Sequence, residues 1–191
     1  RDRVFTGRER FEPGNPQEGY SPSPQERQSW LQISYMKEAY HTMGPKFTLG
    51  WMAEALYSSK NFSENYTATM MQAGEFAPTP HSKLMYNEAF RANQYVAAGI
   101  KPIYVLNDMF QFRTEFYGFT PIFPIKKNAL NKAYYGKAFS RFEYMGEVSV
   151  ICHLPFGAIS AYVNHYSSPR REWNVGMTIG WQLFNLSLIH I

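Results

Sequence analysis

Residues 173–184 read Trp-Asn-Val-Gly-Met-Thr-Ile-Gly-Trp-Gln-Leu-Phe, with a two-residue period that is almost unbroken. Trp173, Val175, Met177, Ile179, Trp181 and Leu183 share one face, and Asn174, Gly176, Thr178, Gly180 and Gln182 share the other. The faces separate because successive Cβ atoms of a strand point to opposite sides of the pleat. Aromatic residues near both ends of the apolar row, with small polar residues behind it, suit a wall that has lipid outside and water inside. The stretch predicts a strand of a transmembrane β-barrel.

Similar runs precede it. Residues 30–40 lead through Thr42-Met43-Gly44-Pro45 into residues 47–58, where Phe47, Leu49, Trp51, Ala53, Ala55 and Tyr57 align, so the two runs read as a hairpin. Residues 59–93 form a long polar segment containing Pro78 and Pro80, to which periodicity assigns no element. Residues 94–106 end at an Asn107-Asp108 turn signal. In the next run, residues 109–120, Phe110, Phe112, Thr114 and Phe116 oppose Gln111, Arg113, Glu115 and Tyr117. A connection carrying Lys126, Lys127 and Lys132 leads to residues 134–154, which keep one alternation phase throughout. They predict a single strand longer than a bilayer requires, projecting from the membrane. A Pro155-Phe156-Gly157 turn, residues 158–166 and a loop through Pro169, Arg170 and Arg171 complete the pass.

Connection lengths alternate, as they do in bacterial outer-membrane barrels, where periplasmic turns are short and external loops long. That pattern places residues 59–93, 121–133 and 167–172 outside and the turns near Gly44, Asn107 and Pro155 in the periplasm.

The 191 residues are 45% hydrophobic and 17% aromatic, enough for one sizeable domain, yet the mean hydropathy is negative and no run of 18 apolar residues occurs. Barrel strands escape such a search because only every second residue meets lipid. One cysteine, Cys152, forms no intrachain disulfide and leaves the redox compartment unread. The net charge of +4 is scattered or interleaved with acids, which argues against nucleic acid as a partner. The opening at Arg1, without Met or signal peptide, reads as a missing N-terminal part of an exported protein. Residues 186–191, Leu-Ser-Leu-Ile-His-Ile, read as a translated sequencing-adaptor scar, leaving residues 1–185 as a partial barrel with a long external loop at about 59–93.

The site expectations are structural. Trp51, Tyr57, Trp173 and Trp181 are nominated as membrane-interface aromatics. Arg113, Glu115, Arg141 and Glu143 are nominated as lumen ion pairs, Arg113 facing Glu143 and Glu115 facing Arg141 across neighbouring strands. The same register would align Phe112 with Tyr144 on the lipid side. These charges are expected to brace the wall. No Gly-x-Ser-x-Gly elbow or phosphate-cradling glycine loop occurs, so no catalytic residue is nominated. His41, His81, His153 and His165 lack zinc-site spacing, and no metal or cofactor is expected. Asn61-Phe62-Ser63 and Asn65-Tyr66-Thr67 match the glycosylation sequon, a three-residue pattern of low specificity.

Residues 66–73 (Tyr-Thr-Ala-Thr-Met-Met-Gln-Ala), residues 87–95 (Asn-Glu-Ala-Phe-Arg-Ala-Asn-Gln-Tyr), His165-Tyr166-Ser167-Ser168-Pro169 and Gly180-Trp181-Gln182-Leu183-Phe184-Asn185 carry a resemblance. Together they resemble the C-terminal region of patatin-like phospholipases of Bacteroidetes-type bacteria, in which a barrel follows a secreted patatin domain. The resemblance implies an all-β fold: the C-terminal part of a larger antiparallel up-and-down transmembrane β-barrel in the bacterial outer membrane. It implies a parent enzyme that hydrolyses lipid esters with a Ser-Asp dyad and a glycine-rich oxyanion loop, and none of those motifs is in this sequence. The chain would then anchor, and export or present, an N-terminal catalytic domain of the same polypeptide. Its other partners would be outer-membrane lipid and the barrel-assembly machinery. Two alternatives stand beside this: a free-standing porin or transporter barrel, and a soluble β-meander or lipocalin-like binder whose apolar faces a second layer would cover.

Overall fold

The computed structural model describes residues 2–9, 28–168 and 173–181, with the side chains of 2–9, 28 and 181 left aside. An antiparallel sheet of eight strands dominates it. In spatial order these are β1 (Asp2–Glu9), β2 (Gln28–Thr42), β3 (Phe47–Ser58), β6 (Gln94–Val105), β7 (Phe110–Pro121), β10 (Glu143–Leu154), β11 (Gly157–Tyr166) and β12 (Trp173–Trp181). Every sheet neighbour is the next long strand in the chain, so the sheet is a meander with β1 and β12 at its edges. No helix among the described residues is long and apolar enough to cross a membrane. β1 escaped the sequence reading; it pairs with β2 from Asp2 opposite Tyr35 to Glu9 opposite Gln28.

Tight turns join the strands at one end of the sheet. Gly44, at φ 129, takes a backbone conformation that a side chain would strain, and Met43 N–H donates to Phe47 O at 2.8 Å to close the β2–β3 hairpin. At β6–β7 the Asn107 carboxamide oxygen accepts from Met109 N–H (3.0 Å) and Phe110 N–H (2.8 Å), the side-chain-built turn expected of Asn. The connections from β3 to β6 and from β7 to β10 lie at the opposite end, and both contain short elements.

Residues 59–93 fold into an insert. Its helix α1 (Tyr66–Gln72) starts at Asn65, whose side chain accepts from Ala68 N–H at 2.8 Å. That cap gives the second sequon asparagine a structural role. After α1 come the short strand β4 (Gly74–Glu75), a 3-10 turn at Glu88–Phe90 and β5 (Arg91–Ala92), which pairs with β4. In the next long connection, β8 (Ile125–Lys127) pairs with β9 (Ala133–Tyr135), and α1 leans on this hairpin through Met70, Ala73 and Ile125.

The single long strand expected over residues 134–154 is therefore broken. Gly136 N–H donates to Pro124 O and Phe139 N–H, at φ 50, donates to Ile122 O, so residues 136–142 turn back on the connection. The β7–β10 ladder begins only at Phe119 opposite Glu143. Alternation persisted in the sequence because it records which side chains are apolar; where the backbone hydrogen bonds go is a separate matter.

The core lies on one face of the sheet, beneath the insert. Phe76 and Phe90 of the insert are buried among Met52, Leu56, Tyr95, Tyr117, Phe119, Met145 and Tyr166. The Phe76 ring stands 5.8 Å from that of Phe119, 6.0 Å from Tyr117 and 6.1 Å from Tyr95. Each such side chain removed from water contributes about 1.5–3 kcal/mol, so the insert is a packed layer.

Candidate functional site

The two faces of the sheet differ in kind, and the bare one carries most of the apolar side chains. Along β12, Trp173, Val175, Met177 and Ile179 are 71%, 80%, 66% and 55% exposed. Ile33, Tyr35, Tyr57, Val96, Ile100, Phe116 and Val150 continue the same surface across the other strands. Scattered apolar residues are normal on a protein surface; a row continued from strand to strand among the described side chains is not.

Three of the four nominated aromatics have described side chains, and all three lie on this face. Trp51 and Trp173 belong to one cross-strand row, Trp51–Ile100–Phe116–Gly146–His165–Trp173. At its end the His165 and Trp173 rings stack at 4.7 Å. Tyr57 sits higher, opposite Ile33 and Gln94. Trp181 is placed only by its backbone, opposite Gly157, and its side chain lies outside the described residues. From Trp173 to Trp181 the strand rises about 27 Å at roughly 3.4 Å per residue.

The covered face is polar below the insert. A belt of side chains crosses it: Tyr40 opposite Gly50, Gly50 opposite Lys101, Glu115 opposite Glu147, Glu147 opposite Asn164 and Asn164 opposite Asn174. Lys101 pairs with Glu38, which also accepts from Tyr40 Oη at 2.7 Å, and the Lys101 ammonium stands 5.8 Å from the Tyr117 ring centroid. Tyr117 Oη donates to Glu115. Of this belt only Glu115 is among the nominated residues; Glu38, Lys101, Glu147 and Asn164 are not. Their signal was available in the polar phase of each strand, and only the register joins them.

The four nominated charges do form ion pairs, but not the expected ones. Arg113 Nε meets Glu115 Oε1 at 2.8 Å and Arg141 Nε meets Glu143 Oε1 at 3.8 Å, two residues apart along the chain in both cases. Arg113 stands opposite Ser149, Glu115 opposite Glu147, Phe112 opposite Val150 and Tyr144 opposite Gly118, so the anticipated register is corrected. Same-face neighbours on one strand are close enough to neutralise each other, which removes the charge constraint on register. Packing around Tyr117 and Phe119 sets it instead. Arg141 also donates to Ala89 O at 2.8 Å, tying the β9–β10 connection to the insert.

Arg91 holds the insert together. Its guanidinium donates to the carbonyls of Met70 (3.2 Å), Met71 (3.0 Å) and Ala73 (3.4 Å), the loose end of α1, and pairs with Glu75 at 2.7 Å. Asn87 Nδ2 donates to Ser168 O at 3.0 Å, joining two of the stretches that carried the family resemblance. His81 Nδ1 lies 2.9 Å from Tyr166 Oη, and burial holds its imidazole below the ordinary histidine range. Burial and the Glu88 carboxylate push the Tyr66 phenol up to about 12.

Among the described residues no three His, Cys, Asp or Glu side chains converge as a metal site. No known family model, curated protein or solved structure matches the chain.

Proposed function

We propose that this chain is part of the wall of an outer-membrane β-barrel, with its bare face in lipid and its covered face turned inward around the insert. The exposed apolar row on β12 carries the reading, since in water such a surface would cost stability and invite association. The meander topology supports it, as does the gathering of tight turns at one end and long connections at the other. The two sheet edges, β1 and β12, must find partners when the wall closes, because hydrocarbon offers nothing to bond a free backbone group.

The insert bears on what such a barrel does. Phe76 and Phe90 fill the upper part of the inward face, which suits an anchor more than an open channel. We therefore favour the anchoring or presenting role implied by the resemblance to patatin-like phospholipases over the free-standing pore. The lipase itself would lie in an attached domain, and this chain contributes no catalytic group.

Alternating single-cysteine labelling along β12, in a Cys152→Ser background, tests the membrane reading. Cysteines at 175, 177 and 179 should be shielded from a charged maleimide in vesicles, and those at 174, 178 and 180 should react more readily. Equal, rapid labelling at all six positions without detergent would favour the soluble alternative.

A further inference from the structure

Resting on the reading of the bare face as a lipid contact, we propose that Lys37 and a small-residue trough beside it bind one anionic phospholipid, the phosphate at the ammonium and an acyl chain in the trough. On the bare face, Ala53 stands opposite Ala98 and Ala98 opposite Gly118, so three small residues form a continuous floor across β3, β6 and β7. Trp51, Ile100 and Phe116 flank it, leaving a shallow, open trough of about 420 Å³. The Phe142 ring closes the far end, close enough that a Cβ on Gly118 would stand 3.0 Å from it.

Lys37 begins the same register row, opposite Ala53. Its Nζ lies 5.7 Å from the Trp51 ring centroid, at the trough's wall. Among the described strand side chains it is the one formal charge on the bare face; every other position there is apolar, aromatic, hydroxyl, amide, glycine or histidine. A lone cation on a lipid-facing surface is tolerated where a headgroup answers it. The placement fits that demand, since the Lys37 row lies one step beyond the Trp51–Trp173 row towards the long connections, where an interface follows its aromatic belt. Cation and groove thus offer an anionic headgroup and one chain of the same molecule complementary contacts.

The test uses the full-length protein in vesicles of phosphatidylcholine doped with phosphatidylglycerol, followed by native mass spectrometry of the gently extracted protein. Wild type should retain one phosphatidylglycerol in preference to phosphatidylcholine by about fivefold, the scale expected for one Lys at an anionic surface. Lys37→Gln should abolish the preference and Lys37→Arg should keep it. Ala98→Leu, which fills the floor without adding polarity, should lose the bound lipid altogether. Protein that floats with the vesicles but shows no preference, or a Lys37→Gln variant that retains it, overturns the lipid site and leaves the bilayer reading standing. A dimer dispersed by Ala98→Leu would assign the trough to a second copy and overturn it equally. Protein that never floats with the vesicles overturns both.

Discussion

Tyr117 lies directly opposite Gly99 on the covered face, its ring covering the glycine so closely that a Cβ there would stand 2.1 Å from Tyr117 Cδ1 and 2.8 Å from the Phe116 carbonyl oxygen. Tyr40 lies over Gly50 and Tyr162 over Gly176 in the same manner, each pair directly opposed in the ladder. A tyrosine laid over a cross-strand glycine restores the packing that the missing side chain forfeits and pins the register.

Gly99→Ala should therefore destabilise the protein by about 1–3 kcal/mol, as overpacking a closed contact does. Gly146→Ala serves as the control, since its added Cβ would meet nothing nearer than 3.7 Å. Urea midpoints of the two variants in vesicles check the contrast, and equal midpoints would show that the ring does not lock the strands.

Charge placed on the bare face should be costly and the same charge one residue away should not. Met177→Arg is expected to lose about 2–4 kcal/mol of folding free energy in vesicles, if that position lies near the bilayer midplane. Thr178→Arg, on the other side of β12, should lose under about 1 kcal/mol. Folding titrations into vesicles measure both, and a reversed order would place lipid on the wrong face.

Arg113 pairs with Glu115, which opposes a second buried carboxylate, Glu147, across β7 and β10, each of the two 4% exposed. Arg113→Met should cost about 3–5 kcal/mol by leaving that acidic pair without its cation. Adding Glu147→Gln should return part of the loss, and denaturation of the single and double variants tests the coupling.

Removing the Arg91 fork should loosen the insert before it unfolds the sheet. Arg91→Lys keeps the charge but not the planar set of donors that meets three carbonyls and Glu75, so a loss of about 1.5–3 kcal/mol is expected within the insert. Hydrogen exchange should show faster opening at residues 66–92 and little change in β10–β12.

Acid should loosen the same insert through His81. The imidazole's pKa is lowered in the folded state by burial, against Tyr162 and Tyr166, so the unfolded state binds the extra proton. The stabilisation is complete above the ordinary histidine value of about 6.5 and is lost as pH falls through the lowered folded value. Proteolysis of the insert should therefore speed up on acidification, and His81→Asn should flatten that dependence.

Much of the sheet was legible in the chain because a strand writes its two environments into alternate residues. The run at 47–58 coincides with β3, and the runs at 94–106 and 158–166 differ from β6 and β11 by a residue at one end. The partition of β7 into Phe110, Phe112 and Phe116 on one side and Arg113, Glu115 and Tyr117 on the other is the one observed. The strand β1 was not legible, and neither were the elements of the insert, where short pieces of helix and strand lack the length to show a period.

Alternation thus determined which residues share a face and where most strands run, since both follow from local backbone geometry. Tertiary structure alone decided how far each strand slides along its neighbour, that Arg113 answers Glu115, that residues 136–142 leave the ladder, and that residues 59–93 cover one face. A period of two survives any even shift of register unchanged, so the choice among registers falls to contacts between residues distant in the chain: Tyr117 on Gly99, Phe76 against Phe119, and Arg141 on Ala89.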